Sequence, residues 1–355
     1  MELRTLLEET ARQGASDLHL AAGVPPILRF DGELVVFSSP ACESESARHP
    51  LLTPDDMRDI VAQIETLPGS CGPDRNGSRT AILRIDSTSF RVTVFPECGV
   101  PVIAVRVVPR HVPRMIDLFG ERYPLFDMVK LRRGLIVVAG STASGKSTTV
   151  MSMIEEINHS RSERIHIIGL EYLIGPKMSL VTQHIEGIDF EHAGDAIKSV
   201  GAMDPDIVVI IDPQDEASIL GALRLAKTGH LVLMTIHADS ASDALHTIAS
   251  LTPGYPELVR KQLADTLHAV IAQRLIRRSP EQGRVPVHEI LMATPWVKER
   301  IRAGDLNFSD VARASRGEGM RSMDDSLLEL LSLGRISYQT AFDNVNNLRR
   351  MPQTG

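Results

Sequence analysis

The run Gly140-Ser141-Thr142-Ala143-Ser144-Gly145-Lys146-Ser147 follows an apolar segment and leads into a helical one. It fits the spacing G-x-x-x-x-G-K-[ST], in the strand–loop–helix context that this spacing requires. Glycines let such a loop turn backbone N–H groups inward onto phosphate oxygens, and a helix N-terminus adds a favourable partial charge. Lys146 would reach the outer phosphates of a nucleoside triphosphate, and the Ser147 hydroxyl suits magnesium. Gly140 to Ser147, with Thr148 opening the helix, are therefore expected to bind ATP with Mg2+. A loop of this kind signals nucleotide binding, not what the energy does.

A second stretch, DPDIVVIIDPQDEASI from Asp204 to Ile219, reads as a buried strand, Ile207 to Ile211, that delivers Asp212 to its C-terminal end. Nucleotide hydrolases commonly hold magnesium at such an acid, so Asp212 and Ser147 are the metal-ligand candidates. Yet Pro213 follows at once and a second acid stands at Asp215. The stretch reads equally as a working hydrolysis site or an altered one.

These residues need elements to position them. At 355 residues the chain is long enough for about two domains. Residues 1–112 read as a small α+β unit. It has an amphipathic helix on Leu3, Leu6, Leu7 and Ala11, a strand Ser16–Leu20, and a hairpin over Ile27–Phe37 turning on Asp31-Gly32. Loops are expected over Ser38–Pro50 and Pro68–Ser78. Between them, Thr53 caps a helix with Pro54 at its first position. Strands Ala81–Asp86, Phe90–Phe95 and Val102–Val108 follow. Residues 113–124 form the linker. From 125 to 355, strands alternate with helices: Leu135–Ala139, Ile165–Leu170, Leu180–Gln183, Ile207–Ile211 and Leu231–Thr235. Continuous apolar runs of this kind fit a parallel sheet covered on both faces. After Val285 the chain is expected to be mostly helical. Ser322 caps one helix that stops at Gly334, Ser337 caps the next, and the tail Met351–Gly355 is expected to fray.

Composition narrows the function classes. Hydrophobic content of 43%, charge of 23% and a net charge of −7 suit a globular protein and disfavour nucleic-acid binding. The pairs Arg132-Arg133 and Arg277-Arg278 read as solvated faces. The cysteines, Cys42, Cys71 and Cys98, show no metal spacing and fit a reducing compartment. No apolar run approaches the ~20 residues of a membrane span. The start, MELRTLLEETARQG, carries acids and lacks the apolar core of a signal peptide. A cytoplasmic location is expected, with any membrane role exerted through a partner and no direct insertion.

Further segments carry a resemblance. GASDLHLAAGVPPILRFDGEL, SFRVTVF with AVRVVP, KTGHLVLMTIHADSASDAL, and VHEILMATPWVKERIRAGDL before GMRSMDDSLLELLSLGRIS occur in this order over nearly the whole chain. Together with the phosphate loop, the chain resembles the secretion-superfamily hexameric ATPases, most closely the PilT-like type IV pilus retraction ATPases. The resemblance implies a smaller N-terminal PAS-like domain, a RecA-like ATPase domain with C-terminal helices, and nucleotide bound between the two domains. It also implies a hexameric ring that works on an inner-membrane platform protein to retract the pilus. Residue by residue, it makes Glu171 the base that positions the attacking water. It makes His230 and His237 sensors of the terminal phosphate, and Arg91 and Arg106 phosphate ligands. The four-cysteine zinc module usual in secretion and pilus-assembly ATPases is missing, since all three cysteines precede the phosphate loop.

The pattern also departs from the family. Where the family has Gly-Glu-Met-Arg-Asp, this chain has Ile211, Asp212, Pro213, Gln214 and Asp215. Asp212 retracts the carboxylate by roughly 1.5 Å, one C–C bond, and a misplacement of about 1 Å can cost ~10²-fold in rate. Ile211 puts a side chain where backbone could approach phosphate. Tyr172 replaces the acidic-box aspartate, Ala143 a common glycine, and Gly99 a third arginine. The expectation is firm nucleotide binding with slowed hydrolysis. Two functions follow: a retraction motor subunit, or a weakly hydrolysing accessory that joins a paralogous, active ATPase in the ring.

Overall fold

The computed structural model describes residues 2–30, 32–37, 51–66, 77–86, 88–109, 111–120, 123–169, 172–186, 188–280, 283–308 and 319–352. Asp31, the loop over Ser38–Pro50, most of the loop over Pro68–Ser78, Cys42, Cys71, Glu171 and the last residues of the tail lie outside them. The chain divides into two units, the first formed by Met1–His111 with the short return Ile185–Glu191, the second beginning at Val112. The stretch 113–124 contains a short helix, Met115–Phe119, whose Met115 is fully buried.

In the first unit the strands are β1 (Asp17–Leu20), β2 (Ile27–Phe30), β3 (Glu33–Val36), β4 (Arg79–Ile85), β5 (Thr88–Glu97) and β6 (Val100–Val108). They form an antiparallel sheet in the order β3-β2-β1-β6-β5-β4. Alternation sends Leu18, Leu28, Phe90, Val92, Ile103 and Val105 into one core. Helices α1 (Leu3–Arg12) and α2 (Pro54–Thr66) complete it with Leu6, Leu7, Met57 and Ile60. Each such fully buried side chain contributes about 2 kcal/mol. Thr53 caps α2 as expected, accepting from Asp56 N at 3.1 Å. β5 and β6 run longer than expected and join through a tight turn. Cys98 and Gly99 stand there at φ 46° and 83°, two left-handed residues that suit a two-residue hairpin.

In the second unit the strands are β7 (Gly134–Ala139), β8 (Arg164–Ile168), β9 (Leu180–His184), β10 (Ile207–Ile210), β11 (Leu231–Ile236), β12 (Leu267–Arg277) and β13 (Arg284–Met292). The sheet order is β13-β12-β7-β11-β10-β8-β9. All neighbours pair in parallel except β13, which is antiparallel at the edge. Every residue of β7, β10 and β11 is buried, as a sheet covered on both faces demands. The expectation of mostly helix after Val285 fails for β13. Pro286 has no N–H to give, but an edge strand can leave that side unpaired.

The parallel register brings the C-terminal ends of β7, β11 and β10 to one rim, since Ala139 pairs Ile236 and Ile210 pairs Met234. β12 adds Ala272 opposite Ala139, so Gln273 arrives beside Gly140. Ligands in open α/β sheets bind outside this carboxyl rim. Beyond the sheet, Ser322 and Asp325 form a capping box for a helix, Met323–Ser332. Burial pushes the Asp325 carboxyl up, but hydrogen bonds from Ser322 and Arg350 outweigh it and hold it down to about 2. Buried Asp324 accepts the backbone N–H groups of Asn346 and Asn347 at 2.8 and 3.2 Å, which ties down the chain after the last helix, Tyr338–Asn344.

Candidate nucleotide site

The phosphate loop leaves β7 at Gly140 and enters the helix Lys146–Ser160 through Gly145, which stands at φ 87° as its N-cap. Side chains are excluded at both glycines by close neighbours. A Cβ on Gly145 would lie 2.7 Å from Gln273 Nε2, and one on Gly140 would lie 2.5 Å from the Gln273 carbonyl oxygen. Ala143 adopts φ 61°, so the residue that replaces a common glycine sits in the left-handed region. That costs roughly 1–2 kcal/mol, a strain that its place in the motif does not reveal.

Lys146 is 7% exposed and donates to the Gly140 and Ser141 carbonyls, each at 2.9 Å. Its ammonium also lies 3.4 Å from His237 Nδ1, while His237 Nε2 lies 2.7 Å from Asp212 Oδ2. An ammonium only donates, so Nδ1 accepts and Nε2–H donates to the carboxylate. His237 thus joins the loop lysine to the strand-end acid. Asp212 turns at φ 52°, and its N–H donates to buried Thr235 Oγ1 at 2.8 Å. Its other oxygen, Oδ1, is buried with no hydrogen-bond partner. Ile211 packs toward the neighbouring strand end. Its side chain abuts Gly169, where any Cβ would lie 2.7 Å from that of Ile211. Asp215 caps the helix Glu216–Lys227, accepting from Ser218 N at 2.7 Å. The second acid of the stretch therefore starts a helix.

A polar cluster beneath the loop is absent from the expectations drawn from sequence. Gln273 Nε2 donates to the Ser144 carbonyl at 2.7 Å, and its Oε1 accepts from Thr149 Oγ1 at 2.6 Å. His288 Nε2 lies 2.9 Å from the same Oε1, and His288 Nδ1 lies 2.9 Å from the Tyr123 hydroxyl. Burial, with help from the Arg321 charge, pushes His288 down to about 3, so it is neutral. Burial pushes the Tyr123 phenol up to about 12 against the opposing Arg321. The pair Gln273-Arg274, a polar break between the apolar Ala269–Ala272 and Leu275–Ile276, was the one signal available for Gln273.

Other expected residues fall elsewhere. His230 precedes β11 while His237 follows it, and a six-residue strand spans about 20 Å. Within one chain His230 is therefore not brought to the phosphate loop. It binds the Leu225 carbonyl at 2.9 Å through Nδ1 instead. Arg91 and Arg106 are direct cross-strand partners in the first unit, and Asp17 pairs Arg106 from the other side at 3.9 Å. Like charges placed opposite one another are unfavourable, and Asp17 offsets part of that. Glu171 lies outside the described residues.

A magnesium ion fits the residues present. The buried, unpartnered Asp212 Oδ1 and the Ser147 hydroxyl at the helix start are hard oxygen donors of the kind that ion takes. Among the described residues no helix is long and apolar enough to cross a membrane, and no group of three or more His, Cys, Asp or Glu could hold a metal.

Comparison with known proteins shows the family and the fold. The family described as "Type II/IV secretion system protein" matches residues 3–342. The chain is 32% identical to the type IV pilus retraction ATPase PilT of Pseudomonas aeruginosa over 96% of this chain and 97% of that one. It is 29% identical to the type IV pilus ATPase PilU of the same organism, over 100% and 92%. A crystal structure of the pilus retraction motor PilT with bound ADP superposes with a TM-score of 0.79 at 30% identity, covering 98% of each chain. The α/β architecture is thus that of a RecA-like ATPase with a smaller N-terminal domain.

Proposed function

The chain belongs to the type II/IV secretion system protein family, and from that premise we propose that it is an ATP-binding, ATP-hydrolysing subunit of a ring motor for type IV pilus retraction. One observation carries the reading: Lys146, at the mouth of the phosphate loop, is joined through His237 to Asp212 at the neighbouring strand end. Nucleotide phosphate would meet the loop N–H groups and Lys146, which would give up carbonyl partners for phosphate oxygens. Ser147 and Asp212 would hold magnesium, which neutralises phosphate charge when bound. His237 sits where it feels both the lysine and the acid, so it can report the change at one to the other. Glu171 as the base, Arg91 and Arg106 as phosphate ligands, a hexameric ring and an inner-membrane platform partner are part of the same proposal, on the resemblance.

The test is steady-state ATP hydrolysis with magnesium by the purified chain beside Lys146→Ala. The expected result is turnover in the parent and a loss of at least about a hundredfold in the variant, since the lysine acts on the transferred phosphate itself. A second reading, a nucleotide-binding accessory to an active ATPase, is favoured by the short acid at φ 52° whose Oδ2 is already engaged by His237. It predicts nucleotide binding without turnover in the parent.

A further inference from the structure

The cluster under the phosphate loop has a direction. Ser144 presents a carbonyl, which only accepts, so the amide nitrogen of Gln273 must face it. The amide oxygen then faces Thr149 and His288, and His288 must carry its proton on Nε2. Nδ1 is left with a lone pair, to which the Tyr123 hydroxyl donates. Gln273 and His288 are 2% and 1% exposed, so water cannot repair a reversed bond. The outer end is held by the C-terminal helical segment. Ser326 Oγ accepts from His288 N at 3.2 Å, and the Arg321 guanidinium lies 5.5 Å from the Tyr123 ring centre.

We propose that Tyr123, His288 and Gln273 are a positioning relay that sets the phosphate loop from the C-terminal helical segment. The relay transfers no proton and touches no nucleotide. It fixes the Ser144 peptide, and with it the backbone N–H groups of Gly145 and Lys146 that follow. The inference rests on the nucleotide-binding reading above.

The experiment is a double-mutant cycle on the full chain, read as affinity for a fluorescent ADP analogue with thermal midpoints measured alongside. Tyr123→Phe removes one oxygen and keeps the ring stacked on Phe119 at 5.3 Å. Without that donor, His288 Nδ1 is left buried with no partner, and the ring loses the bond that holds it, and with it Gln273, in place. Tyr123→Phe should weaken binding roughly tenfold, as loss of a buried hydrogen bond does. Gln273→Met, which keeps the shape and removes both amide ends, should weaken it by at least as much. In the Gln273→Met background Tyr123→Phe should add less than about twofold, because linked groups are not additive. Equal losses in both backgrounds, or parent-like binding by Tyr123→Phe, overturn the relay. If Gln273→Met does not fold, Tyr123→Phe alone decides: a tenfold loss at an unchanged midpoint supports the relay, and parent affinity sinks it. A parent that binds no nucleotide, or binds as well with Lys146→Ala, overturns the nucleotide reading and the relay together. Parent binding lost only with Lys146→Ala overturns the relay alone.

Discussion

The phosphate loop and the strand end after β10 are joined through His237 but are held in contrasting ways. The loop is fixed from several sides: two glycine positions closed to side chains, Lys146 on two carbonyls, and Gln273 under Ser144. The strand end is held by fewer contacts: Asp212 stands at a left-handed φ, with one hydroxyl under its N–H, His237 on Oδ2 and no partner on Oδ1. On the proposed function, binding would be supported by several contacts, while the metal's place beside the phosphates would rest on one short acid. Mutations on the two sides should therefore separate affinity from turnover.

The sharpest way to break this contrast is Asp212→Asn. Turnover should drop by ~10²-fold while nucleotide affinity stays within about threefold, because on the proposed function the acid would serve the reaction rather than the binding loop. Equal losses of both, measured by steady-state kinetics and calorimetry, would erase the distinction.

Acid pH tests the loop side. Below the ordinary histidine value of 6.5 the unfolded chain protonates His288, whereas the folded chain does not until about 3. The unfolded state then binds more protons, so stability falls as pH drops from 6.5 toward 3, by about 2 kcal/mol at pH 5. Urea unfolding at pH 7 and 5 should show the loss in the parent, and in His288→Gln it should be smaller by this amount, the remainder belonging to His166 and His268, which burial also lowers.

Thr235→Val sharpens the strand-end side. It leaves the Asp212 N–H buried without an acceptor, so turnover should fall roughly tenfold with affinity unchanged. The smallest effect belongs to Ala143→Gly. Relief of the left-handed strain should raise unfolding stability by about 1 kcal/mol or less, because glycine also frees the unfolded chain.

The loop and its flanking strand and helix were legible because the whole signal is local in sequence. The caps at Thr53, Ser322 and Ser337 were legible for the same reason. β12 was not read, because Gln273 and Arg274 interrupt its apolar run, and Gln273 is polar on account of the site it supports. β13 was hidden by Pro286, which only its edge position excuses. The two histidines of KTGHLVLMTIHADS look like one constellation on paper. A strand between them puts them at opposite ends of the sheet. Tyr123, Thr149, Gln273 and His288 come from four distant places in the chain, so no spacing rule could have gathered them.

The backbone of Asp212 also constrains how this protein can change over generations. In the genetic code, single-base changes connect aspartate to glutamate, asparagine and glycine. Asparagine and glycine tolerate a φ of 52° but carry no carboxylate. Glutamate carries one, yet a longer side chain is disfavoured in that region. Of these three neighbours, two are comfortable without the acid and the third keeps it under strain. A lineage carrying this strand end can lose its acid by one comfortable step, while the step to the longer acid meets the cost of the left-handed backbone.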